Sequence, residues 1–137
     1  GCNWTAALAL LCFSEACGKY YCAHVLKEAL DGGGSFRRFL ADCMQCSDVD
    51  RFAGELYKDV RCGLAHSFFL LHEDHRLAVT IGLDEQDPAL NTLRHNGFDS
   101  TADTDRRQVW RFACMPYFHR FLLGLNSLTH KFPATLS

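Results

Sequence analysis

Apolar residues recur at helical intervals through the first quarter of the chain. Trp4, Leu8, Leu11, Cys22, Val25 and Ala29 are separated by three, four or sums of those steps, which is the period of one helical face. Leu10, Phe13, Cys17 and Tyr20 widen that surface. The pattern predicts one long helix over residues 4–30, capped by Asn3 and packed on two sides. Asp31-Gly32-Gly33-Gly34 is expected to stop it, because glycine ends helices more readily than it continues them. Glu15 interrupts the first stripe. It has two readings: an ion pair with Lys19 four residues on, or a polar side chain aimed into a site.

A second, short helix is expected after Ser35, with Phe36, Phe39, Leu40 and Cys43 turned inward. Ser47 reads as the cap of a third, with Asp50 in the capping-box position. Val49, Phe52, Leu56, Val60 and Gly63 follow at steps of 3, 4, 4 and 3, so they predict its buried face. Beyond residue 71 the period changes. Leu77, Val79 and Ile81 alternate with polar or small residues, as do Trp110, Phe112 and Cys114, which predicts two paired strands. Asp87-Pro88 opens a short helix ending at Asn96-Gly97, residues 100–107 read as a solvated loop, and residues 131–137 as a loose tail. Pro116 starts a last helix, with Phe118, Leu122 and Leu125 expected inward. The fold class is mainly α: a helical bundle with a small two-stranded β insertion before the last helix, one domain over residues 1–137.

Composition narrows the function only a little. The chain has 137 residues, 48% of them hydrophobic and 22% charged, with a net charge of −2. That is enough chain for an ordinary core, and the charge argues against a broad nucleic-acid-coating surface while leaving room for a small basic pocket. Eight cysteines fall below the density of a disulfide scaffold, so a reduced, cytoplasmic chain is the expectation, with a structural disulfide as the alternative. The apolar run 6–13 is too short to span a membrane and lacks the basic flank of a signal peptide.

The stretch that carries candidate chemistry is Tyr57-Lys58-Asp59-Val60-Arg61-Cys62-Gly63-Leu64-Ala65-His66. Arginine holds a phosphate through a fixed fork of donors, and histidine moves protons near neutral pH. On a regular α-helix the two would stand about 140° apart. One straight helix would not aim both at one phosphate, so either the helix deforms at Gly63 or two copies share their residues. The plainer alternative is that Arg61 and His66 cap the carbonyls of a helix end.

From Leu56 to Ser67 the run resembles the signature of the HEPN superfamily, helical domains that commonly carry Arg, four to six residues, then His. The order of helices fits as well, over roughly residues 4–71. The resemblance implies a HEPN-like bundle acting as a metal-independent endoribonuclease, needing no cofactor, usually dimeric, and used in toxin–antitoxin or antiviral systems. It implies Arg61 and His66 as the catalytic pair. Glu15, Tyr57 and Cys62 are expected on the substrate side, with single-stranded RNA as the ligand the resemblance implies and an antitoxin or regulatory protein as a possible partner. Where members commonly place a polar residue after the arginine, this chain has Cys62. The alternative function is a non-catalytic nucleotide- or RNA-binding module.

Two other constellations read as structural. Cys43-Met44-Gln45-Cys46 is a single Cys-x2-Cys without the second pair that zinc needs. His66, His72 and His75, beside Glu73 and Asp74, read as a solvated turn at a helix-to-strand junction. No metal is therefore expected.

Overall fold

The computed structural model describes residues 2–62, 75–80, 91–102 and 108–132. The chain is mainly helical. Helix α1 (Cys2–Tyr21) continues into a π-helical turn (Cys22–Leu26), α2 (Gly32–Arg38) into another (Phe39–Cys43), and α3 (Val49–Glu55) into a third (Leu56–Arg61). After β1 (His75–Thr80) come α4 (Asn91–Asn96), β2 (Phe98–Ala102), β3 (Gln108–Ala113) and the closing helix α5 (Cys114–Lys131). None of the helices among the described residues is long and apolar enough to cross a membrane.

The sheet sits before the last helix, as expected, and its two expected strands do pair. β1 runs parallel to β3, with Leu77 opposite Trp110. It has a third strand, however. Residues 98–102 lie antiparallel to β3, Phe98 opposite Phe112, where the sequence pattern predicted the start of a loop. β3 is thus the centre of a sheet ordered β1-β3-β2. Phe98, Trp110 and Phe112 are buried in the same core as Leu11, Phe36, Phe39, Phe52, Leu56 and Tyr117. Sheet and helices therefore share one apolar interior.

Several helix boundaries differ from the sequence reading. The first helical segment ends at Leu26, not at residue 30. Lys27 takes a left-handed conformation (φ 57°) and donates its N–H to the Cys22 carbonyl, which reverses the chain. Asp31 then starts the next helix instead of stopping the last one, accepting the Gly34 N–H at 2.7 Å. The glycine run is a close-approach device. A Cβ on Gly32 would lie 2.3 Å from the Tyr57 hydroxyl and 2.7 Å from Glu15 Oε1. Ser47 does not cap α3 either: its hydroxyl donates to Asn96 Oδ1 at 3.3 Å beside its N–H at 2.9 Å, and Asn96 Nδ2 donates to the Ser47 carbonyl. Asp48 precedes the helix at φ 52° without a side-chain cap, and Asp50 pairs with Arg37.

The third helix buries Val49, Phe52, Leu56 and Val60 as its spacing predicts; Gly63 lies outside the described residues. The last helix is turned from its expected phase. It buries Cys114, Tyr117, Phe121, Gly124 and Leu128, and leaves Phe118 and Leu122 exposed, with Leu125 only half-buried against the core. Two local fits set that phase. Tyr117 lies at 2.6 Å from the buried Ser14 hydroxyl, and Gly124 lets α5 close on Met44 and Phe39, which a Cβ would meet at 2.6 and 2.9 Å. A buried phenol needs such a partner, and Phe118 has no hydroxyl to offer.

Gly97 follows α4 at φ 84°, where an added Cβ would lie 2.3 Å from the Tyr117 backbone nitrogen. Gly97→Ala is therefore expected to lose at least about 2 kcal/mol in urea unfolding, from left-handed strain plus a backbone clash. Lys27→Gly should do the reverse and gain up to about 1 kcal/mol, since only the strain is removed there. Equal effects from the two substitutions would contradict this account.

Candidate functional site

Three elements converge on one buried carboxylate. Glu15 sits on the inner face of α1, its side chain 6% exposed. Burying a carboxylate costs several kcal/mol unless it is paired and hydrogen-bonded, and Glu15 has partners on both oxygens. Oε1 accepts from the Tyr57 hydroxyl at 3.1 Å and stands 3.0 Å from Lys19 Nζ. Oε2 lies 2.6 Å from an Arg61 terminal nitrogen. The expected ion pair with Lys19 therefore holds on one oxygen, and the other oxygen faces Arg61. The Arg61 contact is an ion pair out of hydrogen-bond line, so Glu15 Oε2 and the buried Arg61 Nε have no hydrogen bond among the described residues.

Tyr57 and Arg61 are brought side by side by the π-helical turn at the end of α3. The Arg61 guanidinium carbon lies 5.6 Å from the Tyr57 ring centroid, and that ring in turn packs 5.5 Å from Phe36 of α2. Cys62 closes the turn, donating its N–H to the Tyr57 carbonyl, and is half-buried. Of the site residues read from sequence, Glu15, Tyr57 and Arg61 are thus in contact and Cys62 is adjacent. His66 lies outside the described residues. Sequence reasoning missed Gly32, whose missing side chain makes room for the Glu15–Tyr57 pair. Its only signal was a glycine run that reads equally well as a helix stop.

Charge flows consistently through the cluster. Burial alone pushes the Glu15 carboxyl up, but the Lys19 hydrogen bond, the Arg61 charge and the Tyr57 hydroxyl outweigh it and hold the group below its ordinary value. Burial and the neighbouring Glu15 carboxylate push the Tyr57 phenol up to about 12. For Arg61, burial works against the charge, yet Glu15 together with Cys12, Tyr57 and Cys62 outweighs it and the guanidinium is held still more firmly charged. One carboxylate against two cations leaves a single net positive charge. The arrangement can therefore hold an anion on the side of Arg61 that Glu15 does not occupy.

The cysteines do not form a rival site among the described residues. Cys12, Cys17, Cys22, Cys43, Cys46 and Cys62 carry no disulfide, and burial pushes the thiols of Cys43 and Cys46 up to about 12. A metal would need them as thiolates. No group of three His, Cys, Asp or Glu side chains suited to a metal occurs among the described residues. His66 and His72 lie outside them. Comparison of the chain with family models, with curated proteins and with solved structures finds no match.

Removing the charge of Glu15 tests the cluster. Its folded carboxyl ionises below the ordinary 4.5, so its contribution is complete above about pH 4.5 and is lost as pH falls through the folded value. Glu15→Gln should cost about 1–3 kcal/mol at pH 7, because Arg61 is left half-buried with its partner gone. The gap from the parent protein should narrow as pH drops below 4.5. Denaturant midpoints measured from pH 3 to 7 check both, and a gap independent of pH would show that the carboxylate is not the charged partner.

Proposed function

We propose that this chain is a metal-independent endoribonuclease of the HEPN type, acting as a homodimer on single-stranded RNA. The observation that carries the reading is the fixed guanidinium of Arg61 inside the Arg-x4-His stretch. It is held by a buried carboxylate from α1 and flanked by Tyr57. A cation oriented in this way meets a phosphate without reorganising, which is what stabilising a charged transition state requires.

In this reading the RNA supplies its own nucleophile, the 2′-hydroxyl, so RNA and not DNA is cut. His66 accepts the 2′-hydroxyl proton and returns one to the leaving 5′-oxygen, within the range where an imidazole titrates. Arg61 holds the non-bridging oxygens as their charge grows. Glu15 fixes the guanidinium from behind, and Tyr57 and Cys62 line the substrate side. The products are a 2′,3′-cyclic phosphate and a 5′-hydroxyl, and no metal-activated water is involved. A toxin–antitoxin or antiviral role in the cytoplasm, with an antitoxin or regulatory partner, accompanies this reading.

A second reading is favoured by one feature of the same contact. Glu15 already neutralises Arg61 on one side, and Cys62 follows the arginine in place of the polar residue common in HEPN domains. A nucleotide- or RNA-binding module without catalysis would keep the anion site and dispense with proton transfer.

Purified protein incubated with mixed RNA in EDTA separates the two. The nuclease reading expects cleavage that survives the chelator and leaves cyclic or 3′-phosphate ends. Arg61→Ala and His66→Ala should each lower it at least about a hundredfold, the weight of one positioned acid–base or charge-stabilising group. Cleavage that needs Mg²⁺ or leaves 5′-phosphates sinks that mechanism. RNA binding that weakens in Arg61→Ala, without cleavage by the parent protein, establishes the binding module instead.

A further inference from the structure

The outer faces of the two longest helices carry almost no charge. In α1 the charged side chains are Glu15 and Lys19, which pair with each other beside Arg61. In α5 they are Arg120, bound to the carbonyl and ring of His95, and Lys131 at the last residue. Large apolar groups stand in solvent instead: Phe13 is 59% exposed, Tyr20 51%, Met115 42%, Phe118 38% and Leu122 45%. The Ser14–Tyr117 hydrogen bond and the Tyr20–Phe132 ring contact at 5.3 Å join the two helices. These side chains therefore flank a single seam. Solvent-facing helix sides ordinarily carry charge. Depletion of charge with enrichment in aromatics and methionine marks the centre of an interface.

We propose that this α1–α5 face is where two copies of the chain meet. From the nuclease reading this keeps only the pairing of two copies, and it is tested without reference to cleavage. Three observations favour a second copy as the occupant. In a two-fold contact each patch faces itself, so a charge near the axis would meet its like. At about 100° per residue, Arg120 and Lys131 point to the opposite side of α5 from Phe118 and Leu122. Met115, Phe118, Leu122 and the half-buried Leu125 follow at steps of 3, 4 and 3, the seam spacing of helices that pair along their length. Taking about 200 Å² for a large side chain, the five exposed groups offer roughly 470 Å² per copy. That is close to the apolar share of the about 800 Å² that a stable partner buries.

Light scattering after size exclusion tests the contact. The parent protein is expected to be a dimer. Phe13→Glu and Leu122→Glu are expected to be monomers of unchanged helicity, because both positions face solvent within one copy. Lys58→Glu, a charge change at an exposed position of the third helical segment, should remain dimeric. Hydrogen exchange of the parent protein, dilute against concentrated, supplies a readout that needs no variant to fold. Protection gained with concentration should fall on α1 and α5. A monomeric parent protein overturns the proposal, as does a dimer that survives both glutamates or gains its protection elsewhere. A monomer that binds neutral phosphatidylcholine vesicles through this face assigns it to lipid and overturns the proposal as well.

Discussion

A carboxylate placed inside a helical bundle dictates what may stand around it. Glu15 cannot be left alone in the interior, since an ionised group removed from water must recover its lost hydration from fixed partners. Its own helix supplies Lys19 one turn on, and the third helical segment supplies Tyr57 and Arg61. The second helix must then pass close enough to seal the pair, and only glycine at position 32 permits that approach. The spacing of three helices is thus tied to one charge. The residues that stabilise the carboxylate are also those that present a guanidinium beside the Arg-x4-His stretch. Fold and candidate chemistry share the same atoms.

What was legible in the sequence follows from how each signal arises. The third helix had one apolar stripe and polar residues elsewhere, so Val49, Phe52, Leu56 and Val60 had a single way to face inward. The last helix carried two apolar stripes side by side, one through Tyr117 and Phe121 and one through Phe118 and Leu122. Hydrophobicity does not choose between these. The choice was made by the Ser14–Tyr117 hydrogen bond and by Gly124 against Met44 and Phe39, both contacts between segments about a hundred and about eighty residues apart. The strand at 98–102 was hidden for a similar reason: its polar and small residues pair with β3 through the backbone, which no side-chain period reports.

Three of the residues singled out in the sequence stand together in the structure. Arg61 and Tyr57 were singled out by the motif, and Glu15 by being an acid on an apolar stripe. That last signal is a strong one, because a buried charge without a partner is so costly that its presence predicts a cation nearby. Gly32 carried the opposite kind of signal. A glycine that breaks a helix and a glycine that admits a neighbour are spelled alike, and only the position of Tyr57 and Glu15 tells them apart. The same ambiguity misplaced the end of the first helix, where Lys27 rather than the glycine run turns the chain.

The winding of the motif segment changes the weight of one geometric step. An offset of about 140° between Arg61 and a residue five positions on holds for α-helical winding. From Leu56 to Arg61 the backbone is π-helical, and a turn closed from i to i+5 brings residues five apart toward one face. Tyr57 and Cys62 stand in that relation, with the Cys62 N–H on the Tyr57 carbonyl. His66 lies beyond that stretch and outside the described residues, so the 140° step is no ground for two copies. A pairing of copies rests instead on the uncharged outer faces of α1 and α5, a property of the surface and not of the motif. The two questions separate: in the proposed reading the motif segment holds the anion, and the outer faces of the longest helices are the proposed contact between copies.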